Sequence, residues 1–199
     1  MKRKADMGIG TLIIFISMIL VAAIAAGVLI QTATSLQNTA LLTGERSKSQ
    51  VSTSIRPIVV YGEDGSVNNS IDNIYMTLKL APGSDAVRLG DLLLEFSLKN
   101  VSANLVYNSS TNTTAGQSCS NLTAVTSSHF FTEILIGGEN QAEGYLQRGD
   151  VVKLCFRSER SVTEDESISI TLIPKVGSPT VIQTALPDII TEQRVNIFP

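Results

Sequence analysis

The chain of 199 residues has no tryptophan, a single histidine (His129) and two cysteines (Cys119 and Cys155). One histidine excludes a multi-histidine metal centre, and two cysteines exclude a four-thiolate zinc site. A hydrolase triad would have only His129 to serve as its base. Basic charge is not in excess: 15 Lys and Arg stand against 18 Asp and Glu, a formal net charge of −3. That balance excludes a protein that tracks a nucleic-acid backbone by counter-charge, so no nucleic-acid partner is expected. No Gly-x-x-x-x-Gly-Lys run occurs, so the chain has no phosphate-binding loop with which to drive mechanical work. Charged residues make up only 17% of the chain, against about 25% in ordinary soluble domains. Their absence is local: no Asp, Glu, Lys or Arg occurs from Met7 through Gly44.

That uncharged stretch holds the first positive signal. Ile9 to Ile30 reads IGTLIIFISMILVAAIAAGVLI, and about 20 apolar residues cross a bilayer as a helix. Lys2, Arg3 and Lys4 precede it, a basic head that stays cytoplasmic and sends the rest outward. Three readings fit: a secretory signal peptide, a permanent anchor bearing an outer domain, or a filament subunit held first in the membrane and later against its own copies. A signal peptide fits least well, because its apolar core is only about 7–15 residues. The helical pattern also continues past the apolar run. Leu29, Ala33, Leu36 and Ala40 recur at i, i+4, i+7 and i+11, and Val51 and Ile55 follow after a polar Glu45–Ser49 patch. No proline interrupts before Pro57. A helix from Gly8 to Arg56 would be about 70 Å long, about twice the bilayer core. Ala22, Ala23, Ala25, Ala26 and Gly27 permit close approach of a second helix.

The block Lys4-Ala5-Asp6-Met7-Gly8-Ile9-Gly10-Thr11-Leu12-Ile13, running on into IFISMILVAAIAAGVLIQTATSLQ, closely resembles the N-terminus of archaellins, the archaeal flagellins. The run Ile170 to Thr180 and the closing Val195-Asn196-Ile197-Phe198-Pro199 are similar to later archaellin segments. The likeness covers about the first 60 and last 35 residues. It implies a class III signal peptide, residues 1–5, cut between Ala5 and Asp6 by a membrane-embedded prepilin-type signal peptidase. Ala5 stands where the family usually carries Gly. Residues 6–56 would be the assembly helix, with Gly8, Ile9, Gly10, Leu12, Ile13, Phe15, Ile16, Leu20, Ile24, Gly27 and Leu29 packing in a filament core. Bacterial type IV pilins share the layout but usually have Glu at the fifth residue after the cut, and Gly10 stands there. The resemblance therefore implies a non-enzymatic subunit of an extracellular archaeal swimming filament, a helical homopolymer open to other archaellins. Its precursor would sit in the membrane and depend on a membrane assembly motor. The alternatives are a pilin-like adhesion filament subunit and a membrane-anchored extracellular binding domain.

Residues 57–199 change to a strand period. Candidate strands are Ile58–Tyr61, Ile74–Leu80, Leu92–Leu98, Asn104–Tyr107, Phe130–Ile136, Val151–Arg157, Ser167–Ile173 and Thr180–Leu186, separated by Gly-, Pro- and Asp-rich turns. The expected fold is α+β: a long hydrophobic N-terminal helix followed by an all-β, immunoglobulin-like sandwich outer domain. Asn68, Asn100, Asn108, Asn112 and Asn121 each open an Asn-x-Ser/Thr sequon, so N-linked glycans are the only added groups expected. In an exported domain Cys119 and Cys155 are expected to form a disulfide, with two buried thiols the alternative. No cofactor or metal is expected. Asp64, Ser66 and Asp72 imitate part of a calcium loop, but Asn69 and Tyr75 replace its Gly and Glu. His129 and Glu133 are about 13 Å apart if extended, too far to act together. Glu164, Asp165 and Glu166 are expected in a solvated turn.

Overall fold

The computed structural model describes residues 2–63, 70–108, 119, 122 and 128–198, with side chains from residue 8 onward. The chain divides into two compact units, Met1–Ser47 and Lys48–Pro199. One helix, α1 (Lys2–Ser52), forms the first unit and leads into the second. It is rich in Ala, Leu and Ile and contains no proline, so nothing interrupts the i→i−4 ladder.

Capture by the sheet stops the helix, ahead of the Arg56 expected from Pro57. The Thr53 amide closes the last turn by donating to the Ser49 carbonyl at 3.0 Å. Ser54 then donates its amide to Ser84 Oγ at 3.1 Å, and its carbonyl accepts from the Ala81 amide at 2.9 Å. β1 begins one residue later. Pro57 lies inside this strand, next to a register shift between Pro57 and Val59. A residue without an N–H is tolerated in a strand at such an irregularity.

Eleven strands follow: β1 (Ile55–Glu63), β2 (Ile71–Leu80), β3 (Val87–Arg88), β4 (Leu92–Ser97), β5 (Ser102–Tyr107), β6 (His129–Ile136), β7 (Tyr145–Leu146), β8 (Val151–Val162), β9 (Ser167–Pro174), β10 (Thr180–Ala185) and β11 (Arg194–Phe198). Nine form one sheet in the order β10-β9-β4-β5-β6-β8-β2-β1-β11, and β3 pairs with β7. The β5–β6 pair is parallel. The sheet rolls until its two edges meet. Thr180 Oγ1 of β10 donates to the Ile55 carbonyl of β1 at 2.7 Å, and Thr184 Oγ1 donates to the Ile197 carbonyl of β11 at 3.2 Å.

Period-2 alternation supplies the interior. Leu92, Leu94 and Phe96 of β4 and Ile168, Ile170 and Leu172 of β9 are buried, while the residues between them are not fully buried. The halves of the rolled sheet face each other across this core, as in a sandwich: Phe96 of β4 meets Phe156 of β8 edge-on at 5.3 Å, although two strands separate them in the sheet order. The result is a long helix followed by an all-β sandwich-like unit.

A second, smaller apolar cluster lies on the outer face, where Tyr61, Tyr75, Cys155 and Phe131 occupy one cross-strand row over β1, β2, β8 and β6. Cys119 and Leu122 cover that row, 2% and 3% exposed.

Candidate functional site

The feature that sets this chain apart is the surface of α1. Within Gly8–Ser52 it is long and apolar enough to cross a membrane, its most apolar 18-residue window having a mean hydropathy of 3.0 with none of that window buried. Ile9, Leu12, Ile13, Phe15, Ile16, Leu20, Ile24 and Leu29 are all between 49% and 68% exposed. Gly8, Gly10 and Gly27 have open space where a side chain would stand. The residues expected in a filament core thus all lie on this one helix, and the large apolar ones among them are exposed. Ala5 and Asp6 lie within the α1 span, where backbone alone is described.

Six hydroxyls of α1 are turned inward on the helix. Thr11 Oγ1 donates to the Gly8 carbonyl at 3.0 Å, and Ser17 Oγ to Ile13 at 2.9 Å and Ile14 at 3.0 Å. Thr32, Thr34, Thr39 and Thr43 each donate to a carbonyl three or four residues earlier, at 2.8–2.9 Å. A hydroxyl bonded to its own helix needs neither water nor a partner side chain. The helix is thus equally presentable to lipid and to other apolar helices.

The sheet unit carries the remaining candidates. Cys119 and Cys155 are joined as a disulfide with Cα atoms 5.6 Å apart, which ties the segment between β5 and β6 to β8. Asn100 is exposed in the turn between β4 and β5, closed by the Leu98 amide donating to the Val101 carbonyl at 2.7 Å. Asn108 is half-buried just after β5, its backbone amide donating to the Phe130 carbonyl at 3.1 Å. Asn68, Asn112 and Asn121 lie outside the described residues, as do Asp64 and Ser66. Asp72 is buried within the sheet unit and accepts a hydrogen bond from Ser161 Oγ at 2.5 Å. Among the described residues no three His, Cys, Asp or Glu side chains are grouped to hold a metal. His129 Nδ1 lies 3.1 Å from Ser128 Oγ, whereas Glu133 pairs with Lys153 at 2.7 Å, so the two share β6 but no partner.

Two features were not legible in the sequence. Glu166, expected in solvent, is 9% exposed and is clasped by the Arg160 guanidinium. Burial pushes its carboxyl up, but hydrogen bonds from Arg160 and from the Thr163 amide outweigh this, so its pKa lies below the ordinary value. On the outer face Tyr61 stacks on Tyr75 at 5.0 Å, and Arg194 lies 3.5 Å over the Tyr61 ring. Burial, then the nearby Glu63 carboxylate, push the Tyr75 hydroxyl up to about 12. Spacing along the sequence does not reveal either arrangement, because both depend on strand register.

Comparison with known proteins follows the same line. A family model described as archaeal-type flagellin matches residues 5–184. The chain is 32% identical over 189 residues to Flagellin B3 of Halobacterium salinarum, covering 94% of this chain and 90% of that one. It is 30% identical over 207 residues to Flagellin B1 of Methanocaldococcus jannaschii, covering 98% and 95%. Among solved structures, the archaeal flagellum of Methanospirillum hungatei matches with a TM-score of 0.70 at 16% identity, over 96% of this chain and 99% of that one. The crystal structure of an archaeal flagellin from Methanocaldococcus jannaschii matches with a TM-score of 0.63 at 17% identity, over 73% and 96%. At those identities the structural matches speak to the fold.

Proposed function

We propose, because this chain belongs to the archaeal-type flagellin family, that it polymerises through α1 into the extracellular helical filament with which an archaeal cell swims. The structural, filament-building role follows from the family; the mechanism below is our inference.

The bare apolar surface of α1 carries the reading. Lys2, Arg3 and Lys4 hold the head on the cytoplasmic side while the apolar run spans the bilayer. A prepilin-type signal peptidase cuts between Ala5 and Asp6, and removes those three positive charges. The helix then exchanges lipid for identical helices, with Gly8, Gly10, Gly27 and the alanines of 22–26 allowing close backbone approach. Burying a helix face of this length removes on the order of 1,500–2,500 Å² from solvent, worth tens of kcal/mol against water. Against lipid most of that gain vanishes, because the surface was already dry. Extraction is close to an exchange, and a membrane assembly motor supplies the work. N-linked glycans decorate the outer unit, with exposed Asn100 and half-exposed Asn108 the sites that the described surface best supports.

N-terminal sequencing of sheared filaments tests the reading. The expected result is this chain as a principal component beginning at Asp6, with Ala5→Leu blocking both processing and filament formation. Absence of the chain from sheared filaments, or a chain there that still begins at Met1, would overturn it.

A further inference from the structure

One end of the sheet carries a row of polar side chains that the filament role does not use. Ser102 of β5 pairs with Ser97 of β4, Ser97 with Ser169 of β9, and Ser169 with Gln183 of β10. Ser97, Ser169 and Gln183 alternate with the buried Phe96, Ile168, Ile170 and Ile182, so the row faces outward. The β4–β9 ladder ends at Ser97–Ser169. Where it ends lies an open groove of about 390 Å³, its rim made by Ser97, Lys99, Ser167, Ser169 and Gln183, with Leu98 and Ile168 below them.

The chemistry of the groove selects its occupant. Serine hydroxyls and the glutamine amide both donate and accept, and the lysine ammonium supplies three further donors. None of the lining residues is acidic or aromatic, so nothing there draws a cation or stacks a flat ring. Closely spaced donors and acceptors over an aliphatic floor suit a sugar, whose hydroxyls and C–H face present the matching groups. Position then supplies the sugar. Lys99 is followed directly by Asn100, whose sequon is completed by Ser102. Both are exposed, in a turn closed by the Leu98 amide on the Val101 carbonyl at 2.7 Å. The Asn100 Cα thus stands about 3.8 Å from that of Lys99 on the rim. Asn108, the other described sequon asparagine, is half-buried and does not line the groove.

We infer that the groove seats the inner sugars of an N-linked glycan carried by Asn100 of the same chain. The inference rests on the exported, glycosylated outer unit proposed above. A groove this open would hold a free sugar poorly. A tethered sugar meets it at an effective concentration in the millimolar range, so a few weak hydrogen bonds suffice. Seated in this way, the glycan lies along the polar row and covers the β4–β5 turn instead of projecting into water.

The test uses the full chain made in its own host and solubilised in detergent. Mass spectrometry of the peptide holding Asn100 should show an attached sugar. An amine-acylating reagent should modify Lys99 at least about fivefold more slowly than in Asn100→Gln, the effect of one net hydrogen bond. Ser169→Ala combined with Gln183→Ala keeps the sequon and its sugar but removes two partners, so Lys99 should then react as fast as in Asn100→Gln. Both side chains face outward, and the double variant should keep the wild-type far-ultraviolet signal. An unmodified Asn100, or equal Lys99 rates in wild type and Asn100→Gln, would overturn the seat while leaving the filament function standing. So would slow acylation that persists in the double variant, since mere proximity of the sugar would then explain it. Absence of the chain from sheared filaments would overturn the filament function, and the seat with it.

Discussion

Removing the Cys119–Cys155 bond gives the sharpest test of how the sheet unit is held together. The bond joins residues 36 apart in sequence, and breaking it releases a loop of that length in the unfolded chain. The loop-closure relation gives about 4 kcal/mol at 25 °C. In the folded unit both cysteines are essentially buried, and Cys119 with Leu122 covers the Tyr75–Cys155–Phe131 row. Without the bond, Leu122 is the only described apolar side chain left to keep that segment in place. For a unit the size of Lys48–Pro199, each kcal/mol shifts Tm by about 2–4 °C, so the expected loss is about 8–16 °C. The assay is thermal melting of the full chain in detergent, followed by the far-ultraviolet signal of the sheet. Oxidised protein, protein reduced while unfolded, and Cys119→Ala with Cys155→Ala should be compared. The reduced and double-alanine forms should melt together, well below the oxidised form. If all three melt within about 3 °C of one another, the bond does not constrain the unfolded chain as argued, and the cover over the outer row is held by other contacts.

Glu166→Gln should lower stability in a pH-dependent way. The Glu166 pKa is held below its ordinary 4.5 in the fold, so the folded state binds fewer protons there and is favoured while the group is ionised. That contribution is full above the unfolded value and fades as pH falls through the folded one. Denaturant titrations should therefore show a gap between wild type and variant at neutral pH that closes in acid; a gap that widens in acid would contradict the Arg160 pairing. Gly177→Ala should cost more than Gly83→Ala, although both have positive φ, +126° and +86°. A Cβ on residue 177 would lie 2.6 Å from the Thr53 carbonyl oxygen, while one on residue 83 meets nothing within 4 Å. About 1–3 kcal/mol is expected for the backbone strain alone, with the clash added only at 177, and equal costs in chemical denaturation would refute the close approach of the 177 turn to the helix end.

The sequence exposes those parts of the fold whose pattern is local. α1 is legible because an uncharged run with Leu29, Ala33, Leu36 and Ala40 at helical spacing leaves no other stable arrangement. The central strands are legible for the same kind of reason, as in Ile168, Ile170 and Leu172 alternating with polar residues. β3 and β7 are two residues each, too short for any period to show. β11 buries only Ile197 and owes its conformation to pairing with β1, a partner more than a hundred residues away. Pro57 marks the latest point at which the helix could stop, but Ser84 and Ala81 capture Ser54 first. Acidic clusters such as the one holding Glu166 are usually solvated; its partner Arg160 lies six residues earlier, and only the turn from β8 to β9 brings them together.

Under the proposed mechanism one helix serves two environments. A segment that spends time in lipid must satisfy every polar group internally, and a segment buried among copies must meet the same demand, since water is absent from both. The hydroxyls of Ser17, Thr32, Thr34, Thr39 and Thr43 meet it by bonding to their own helix. The amides of Gln31, Gln37 and Asn38 and the charges from Glu45 onward come only beyond the fully apolar run. Under the proposed mechanism α1 therefore gains little hydrophobic free energy on leaving the membrane, and its packing among copies has to be favourable through close contact instead, which is where small residues between positions 22 and 27 act.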